Sequence, residues 1–124
     1  AWTDYVDGPE VSANFWAADV CVLPYRDGVS FRRGTLMAAL AHGMPIISTY
    51  PRVDIAEVVE GENMALVPPD DPQALADKVR EVAASDQLRQ RLARGATELS
   101  RLFSWEAIAE DTYGLYEQIL NART

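Results

Sequence analysis

A chain of 124 residues with 48% apolar side chains has the size and make-up of one globular domain, with a core large enough to be stable by a narrow margin. The formal net charge of −8 argues against nucleic acid or an anionic membrane as the main partner, but not against a small phosphorylated ligand held by a local cationic cluster. No apolar run approaches the roughly 20 residues of a membrane span, so no transmembrane segment is expected, and the opening Ala-Trp-Thr-Asp-Tyr lacks the pattern of a signal peptide.

In chain order, Trp2–Val6 is a candidate strand. Asp7-Gly8-Pro9-Glu10 is a helix start, with proline in the first turn and an acid after it. Val11, Phe15 and Ala18 follow at helical spacing, and Trp16 beside them is expected in the core. Val20–Leu23 is apolar without alternation, the pattern of a strand covered on both faces, and Pro24 ends it. It contains Cys21, the single cysteine, which is expected to be buried. No internal disulfide can form, which fits a cytoplasmic chain.

A polar loop, Asp27 to Arg32, leads into a short helix over Arg33–His42, which is apolar nearly all round and must be covered on more than one side. Gly43 ends it, and Met44–Ser48 is the next strand. Pro51–Gly61 reads as irregular, with one helical turn at Ile55–Val59, before a short strand at Met64–Val67. Three helices close the chain. The first is capped at Asp71-Pro72 and carries Leu75, Val79 and Val82 inward; the second runs from Ser85 to about Leu99, with Leu88, Leu92, Ala96 and Leu99 inward. The third starts at Ser104, and the stripe of Trp105, Ile108, Ala109, Thr112, Tyr113, Tyr116, Ile119 and Leu120 is expected to be core. The alternation of strand and helix predicts an α/β fold with parallel pairing, without repeat or linker.

Much chemistry is excluded. His42 is the only histidine, so no His-based metal cluster exists, and its place in the last turn of a helix explains it as a cap. There is neither a Gly-x-Ser-x-Gly elbow nor a Walker loop, and Asp70-Asp71 leads straight into a capped helix. A phospho-acceptor receiver domain needs a lysine after its last strand, whereas Lys78, the only lysine, lies inside an amphipathic helix. The loop over Asp27–Thr35 remains. Arg32 and Arg33 stand at the start of a helix, where the dipole already places positive charge. A bound anion would reverse that penalty, because helix amides and arginines can share it. Asp27 and Gly28 permit a turn, Ser30 and Thr35 offer hydroxyls, and Gly34 allows close approach of the backbone. These residues are read as a phosphate site; the competing reading is a solvated loop with two surface arginines.

Ala17–Pro24, Ala39–Thr49, Glu57–Asn63 and Ala65–Pro69, with Leu75-Ala76 and Phe103–Ala109 through Tyr116, resemble the glycosyl transferase group 1 family. The resemblance covers essentially the whole chain. It implies a GT-B fold, of which residues 1–124 would be one fragment: the later part of the C-terminal, donor-binding domain. The expected fold is thus a Rossmann-like partial domain, a short parallel sheet flanked by helices and ending in a run of C-terminal helices. It further implies a hexosyl-type transferase that takes a nucleotide diphosphate sugar and a hydroxyl acceptor, needs no cofactor, and uses an N-terminal GT-B domain absent here; the fragment alone would be inactive. The family's two glutamates, eight positions apart, correspond to Ser30 and Ala38, so neither acidic role carries over. The substrate-binding candidates are Asp27, Gly28, Ser30, Arg32, Arg33, Gly34 and Thr35, with Arg33, Gly34 and Thr35 expected on the donor diphosphate. The alternative is a degenerate, non-catalytic domain kept for binding or assembly. Truncation should leave the Val20–Leu23 strand with a bare edge that recruits the N-terminal segment or a second copy, which favours a homodimer.

Overall fold

The computed structural model describes residues 1–124. Helix α1 (Gly8–Ala17) precedes strand β1 (Cys21–Leu23), helix α2 (Gly34–Ala41) and strand β2 (Ile46–Thr49). Strand β3 (Ala65–Val67) follows, then helices α3 (Pro72–Ala84), α4 (Asp86–Ser100) and α5 (Trp105–Ala122), with a 3-10 turn at Arg101–Phe103. The three strands form one parallel sheet in the order β1-β2-β3, with Val22 beside Ile47 and Ser48 beside Leu66. Strand β2 is central and wholly buried.

Alternation along β2 divides the core in two. Ile46 belongs to one cluster with Leu36, Ala39 and Leu40 of α2, Leu66 of β3, and Ala96 and Leu99 of α4. Ile47 faces the opposite way, joining Ala65, Val82 of α3 and Leu92 of α4. Helix α4 therefore serves both faces, and α2 is buried against the first one along Leu36, Ala39 and Leu40.

Local chemistry sets the helix ends. The side chains of Asp7, Asp71, Ser85 and Ser104 each accept a bond from an amide three residues on, capping α1, α3, α4 and α5. At the end of α2, Gly43 takes a φ of +61°. Its amide bonds the Leu40 carbonyl at 3.0 Å and that of Met44 bonds Ala39 at 3.1 Å, a Schellman closure. His42 caps the same end: Nδ1 donates to the Ala38 carbonyl at 2.7 Å, while Nε2 shares a 2.7 Å bond with the Ser12 hydroxyl.

Five expectations need correction. Trp2–Val6 forms no strand; Asp4 has a φ of +52°, which interrupts an extended run, and β1 pairs only with β2. Trp16 is 72% exposed, resting its edge against the His42 ring instead of entering the core. Strand β1 is not covered on both faces, because Val22 remains more than a third exposed. Ile55–Val59 makes a turn closed by the Val58 amide on the Ile55 carbonyl at 3.0 Å, and no helix. Finally, α5 has no buried residue: Trp105, Ile108, Tyr113, Tyr116, Ile119 and Leu120 are all exposed. The helical period there is real, but within these residues α5 is joined to the body chiefly through the 3-10 turn, so its stripe has nothing to pack on.

Candidate functional site

The segment between β1 and α2 is pinned at its base by β2. The Ser48 hydroxyl donates to the Leu23 carbonyl at 2.8 Å, and the Thr49 hydroxyl to the Tyr25 carbonyl at 2.6 Å. Both hydroxyls sit on a buried strand and are fully satisfied, so they act as fixed pegs for the loop. Gly28 follows with a φ of +85°, and its amide bonds the Tyr25 carbonyl at 3.3 Å. A Cβ there would lie 3.0 Å from both the Arg52 amide and the Pro51 Cα, so backbone space and conformation both demand glycine. Val29 is buried, with its amide on the Thr49 carbonyl at 3.2 Å, and Phe31 packs edge-on against Phe103 at 4.7 Å.

This anchoring delivers Arg33 to the N-cap position of α2. No side chain caps that helix, unlike the other four α-helices, and Gly34 and Thr35 in its first turn are exposed. The Arg33 guanidinium lies over the Tyr25 ring, 4.7 Å from its centroid, and forms an ion pair with Asp27. The Tyr25 hydroxyl is 2.5 Å from Thr35 Oγ1. Asp27 thus provides a counter-charge for the unfavourably placed arginine from within the chain. Arg32 is exposed and has no ion-pair partner.

Of the residues singled out in the sequence, Asp27, Arg33, Gly34 and Thr35 come together around the amino end of α2. Gly28 is part of the buried foundation, and Gly34 has open space where a Cβ would stand. Ser30 contributes its carbonyl to the Arg33 amide at 3.2 Å. Sequence reasoning missed Tyr25, Ser48 and Thr49. An aromatic residue immediately after Pro24 and two residues before Asp27 was the available signal for the first; the hydroxyls of β2 give none without the register.

Two other features differ in character. A cavity of about 550 Å³ lies between Thr3–Val6, α1 and the free side of β1, with Cys21, Val22, Phe15 and Met44 in its wall. Its lining is mostly apolar and its one charged side chain is Asp4, so it does not suit phosphate. Burial raises the pKa of the Cys21 thiol there. Beyond the carboxyl ends of β1 and β3, Arg26 pairs with Asp70 at 3.2 Å, both largely exposed.

Fold and loop define part of a parallel α/β domain whose conspicuous polar site is a helix amino terminus at the carboxyl end of its sheet. The chain belongs to the glycosyl transferases group 1 family, whose model matches residues 1–85. It is 39% identical over 80 residues to a D-inositol 3-phosphate glycosyltransferase of Nocardioides sp., covering 64% of this chain and 18% of that protein. It is 31% identical over 114 residues to a phosphatidyl-myo-inositol mannosyltransferase of Mycobacterium leprae, covering 92% of this chain and 30% of that one. The structure superposes on a sucrose-phosphate synthase of Thermosynechococcus elongatus with a TM-score of 0.77 at 30% identity, over 98% of this chain and 30% of that chain. The chain therefore spans less than a third of the length of these relatives, and its architecture is that of a GT-B glycosyltransferase domain.

Proposed function

We propose that residues 1–124 are the donor-side fragment of a glycosyltransferase, part of its C-terminal domain, and that the full-length protein moves a hexosyl group from a nucleotide diphosphate sugar to a hydroxyl acceptor. The observation that carries this reading is the uncapped amino end of α2, with the Arg33 guanidinium beside it at the carboxyl end of a parallel sheet. Amides and guanidinium together would stabilise the charge that develops on a leaving diphosphate. Gly34 and Thr35 would meet its oxygens, Arg32 would add an unpaired cation nearby, and Ser30, Asp27 and Gly28 would shape the loop around it. The opposite wall of the cleft would come from an N-terminal GT-B domain outside these residues, so the fragment by itself is expected to be inactive. A cytoplasmic location belongs to the same reading, supported by the single unpaired cysteine.

In the full-length enzyme, Arg33→Ala should raise the donor KM and lower kcat, with kcat/KM falling by about tenfold to a hundredfold, as expected for loss of a charge-assisted contact. Steady-state kinetics with varied donor would measure it, and unchanged donor kinetics would remove Arg33 from the site.

A second reading follows from Ser30 and Ala38, which stand where the family's glutamates are expected. In it the domain is degenerate and serves binding or assembly. Calorimetric titration of the full-length protein with nucleoside diphosphates separates the two, since absence of binding at millimolar concentration favours the second. A homodimer of this fragment along the free edge of β1 is also proposed, on the strength of the unpaired strand and the exposed Val22.

A further inference from the structure

We propose that Tyr25 is the positioning residue of the donor site: its ring holds the Arg33 guanidinium at the amino end of α2 without using up the hydrogen-bond donors that the diphosphate needs. This rests on the donor-side reading given above. The argument starts from how a guanidinium bonds. Its five N–H groups radiate in the plane of the group, so oxygens are met at the edge, while its faces have no donors to offer. An aromatic ring attracts the face. Arg33 Cζ lies over the Tyr25 ring, 4.7 Å from its centroid, a contact that places no oxygen acceptor on its N–H groups. The only ion-pair partner at the edge is Asp27. That carboxylate can be exchanged for phosphate oxygens while the ring contact persists.

The platform is itself fixed. The Tyr25 carbonyl accepts from the Thr49 hydroxyl at 2.6 Å and from the Gly28 amide at 3.3 Å, and Thr49 lies in the buried central strand. At the other end of the side chain, the Tyr25 hydroxyl lies 2.5 Å from Thr35 Oγ1, in the first turn of α2. One residue therefore connects the sheet, through its main-chain carbonyl, to both polar side chains of the helix amino terminus. A long, partly exposed arginine otherwise loses much rotamer freedom when it binds an anion. A ring that restricts it beforehand reduces that loss, and it does so without neutralising the charge.

The test compares wild type, Tyr25→Leu, Tyr25→Phe, Arg33→Ala and the Tyr25→Leu/Arg33→Ala double variant of the full-length protein. UDP, GDP and ADP are titrated calorimetrically, and the tightest binder to wild type is carried through the series. Tyr25→Leu is expected to weaken it about fivefold, the size of a cation–π contact at a partly exposed site. Donor KM should follow, with kcat changed less. Tyr25→Phe keeps the ring and should stay within about twofold of wild type. In the Arg33→Ala background, Tyr25→Leu should have no further effect, because a residue that acts through Arg33 has nothing left to position. If Tyr25→Leu does not fold, Tyr25→Gln takes its place with the same expectation. An equal loss in both backgrounds, or a lowered Tm with unchanged affinity, overturns the inference. Arg33→Ala binding as tightly as wild type, or no nucleotide binding to wild type, overturns the donor-site reading itself and the inference with it.

Discussion

The fold raises the proton affinities of Cys21 and Lys78, and both shifts tell against alkaline conditions. Partial burial against the first core cluster raises the Cys21 thiol above its ordinary 9.0. Lys78 rises above 10.5, first through its hydrogen bond to Glu81, 2.8 Å away, with Glu60 at 3.8 Å adding to it. In each case the folded chain keeps a proton that the unfolded chain releases. The associated stability is complete below the unfolded value and is lost as pH rises through the folded one. Thermal unfolding followed by circular dichroism should therefore show a midpoint that falls from about pH 9 upward, Cys21 acting first and Lys78 beyond 10.5. Cys21→Ala should remove the earlier part of the fall. A midpoint that rises from pH 9 to 10.5 contradicts the assignment.

Among the elements, α4 contains the plainest conflict between local preference and packing. Gly95 sits in the middle of a 15-residue helix, where glycine costs about 1 kcal/mol relative to alanine. The loop before β3 accounts for it, since a Cβ at Gly95 would stand 2.6 Å from the Asn63 Cα and 2.8 Å from its Cβ. That loop is not free to retreat. The Asn63 side chain accepts from the Val59 amide at 2.9 Å and donates to the Glu57 carbonyl at 2.7 Å. Gly95→Ala should thus destabilise by about 1–3 kcal/mol, as overpacking does, where propensity alone predicts a gain. Urea denaturation would decide, and a stabilised variant would mean that the loop yields. Helix α2 differs from α4 in that its irregularity lies at its end. Its amino terminus lacks the side-chain cap that every other α-helix has, a local rule broken at the candidate site.

At the scale of the molecule, the apolar surface is divided unevenly. The sheet and helices α2 to α4 bury their stripes, whereas α5 leaves Trp105 at 83% exposure and Tyr113 and Tyr116 above 60%. Val22 and the mostly apolar cavity beside β1 add a second unfilled surface. A solitary chain leaves these large apolar side chains in water, where exposed apolar surface invites association. In light scattering of the 124-residue chain, a dimer mass is the expected result of edge pairing at β1. A clean monomer at high concentration would refute that pairing.

What the sequence by itself determined was whatever depends on near neighbours in the chain. Four helix caps, the stop at Gly43, the two apolar strands flanking the loop and the order of α and β elements were all legible, because each is decided within a few residues. The family was legible for the same reason, being carried by contiguous motifs. Burial was another matter. The stripes of α4 and α5 read alike, yet only α4 meets the sheet; Trp16 lies beside an apolar face whose Phe15 reaches the core while Trp16 itself stays exposed. The candidate site was half visible. Asp27, Arg33, Gly34 and Thr35 announce themselves by type and placement, but the counter-charge from Asp27 to Arg33 and the ring of Tyr25 under it depend on how the loop folds, and the pegs of Ser48 and Thr49 exist only once β2 lies beside β1. Contacts between residues more than twenty positions apart are created by register and packing, and no local pattern encodes them.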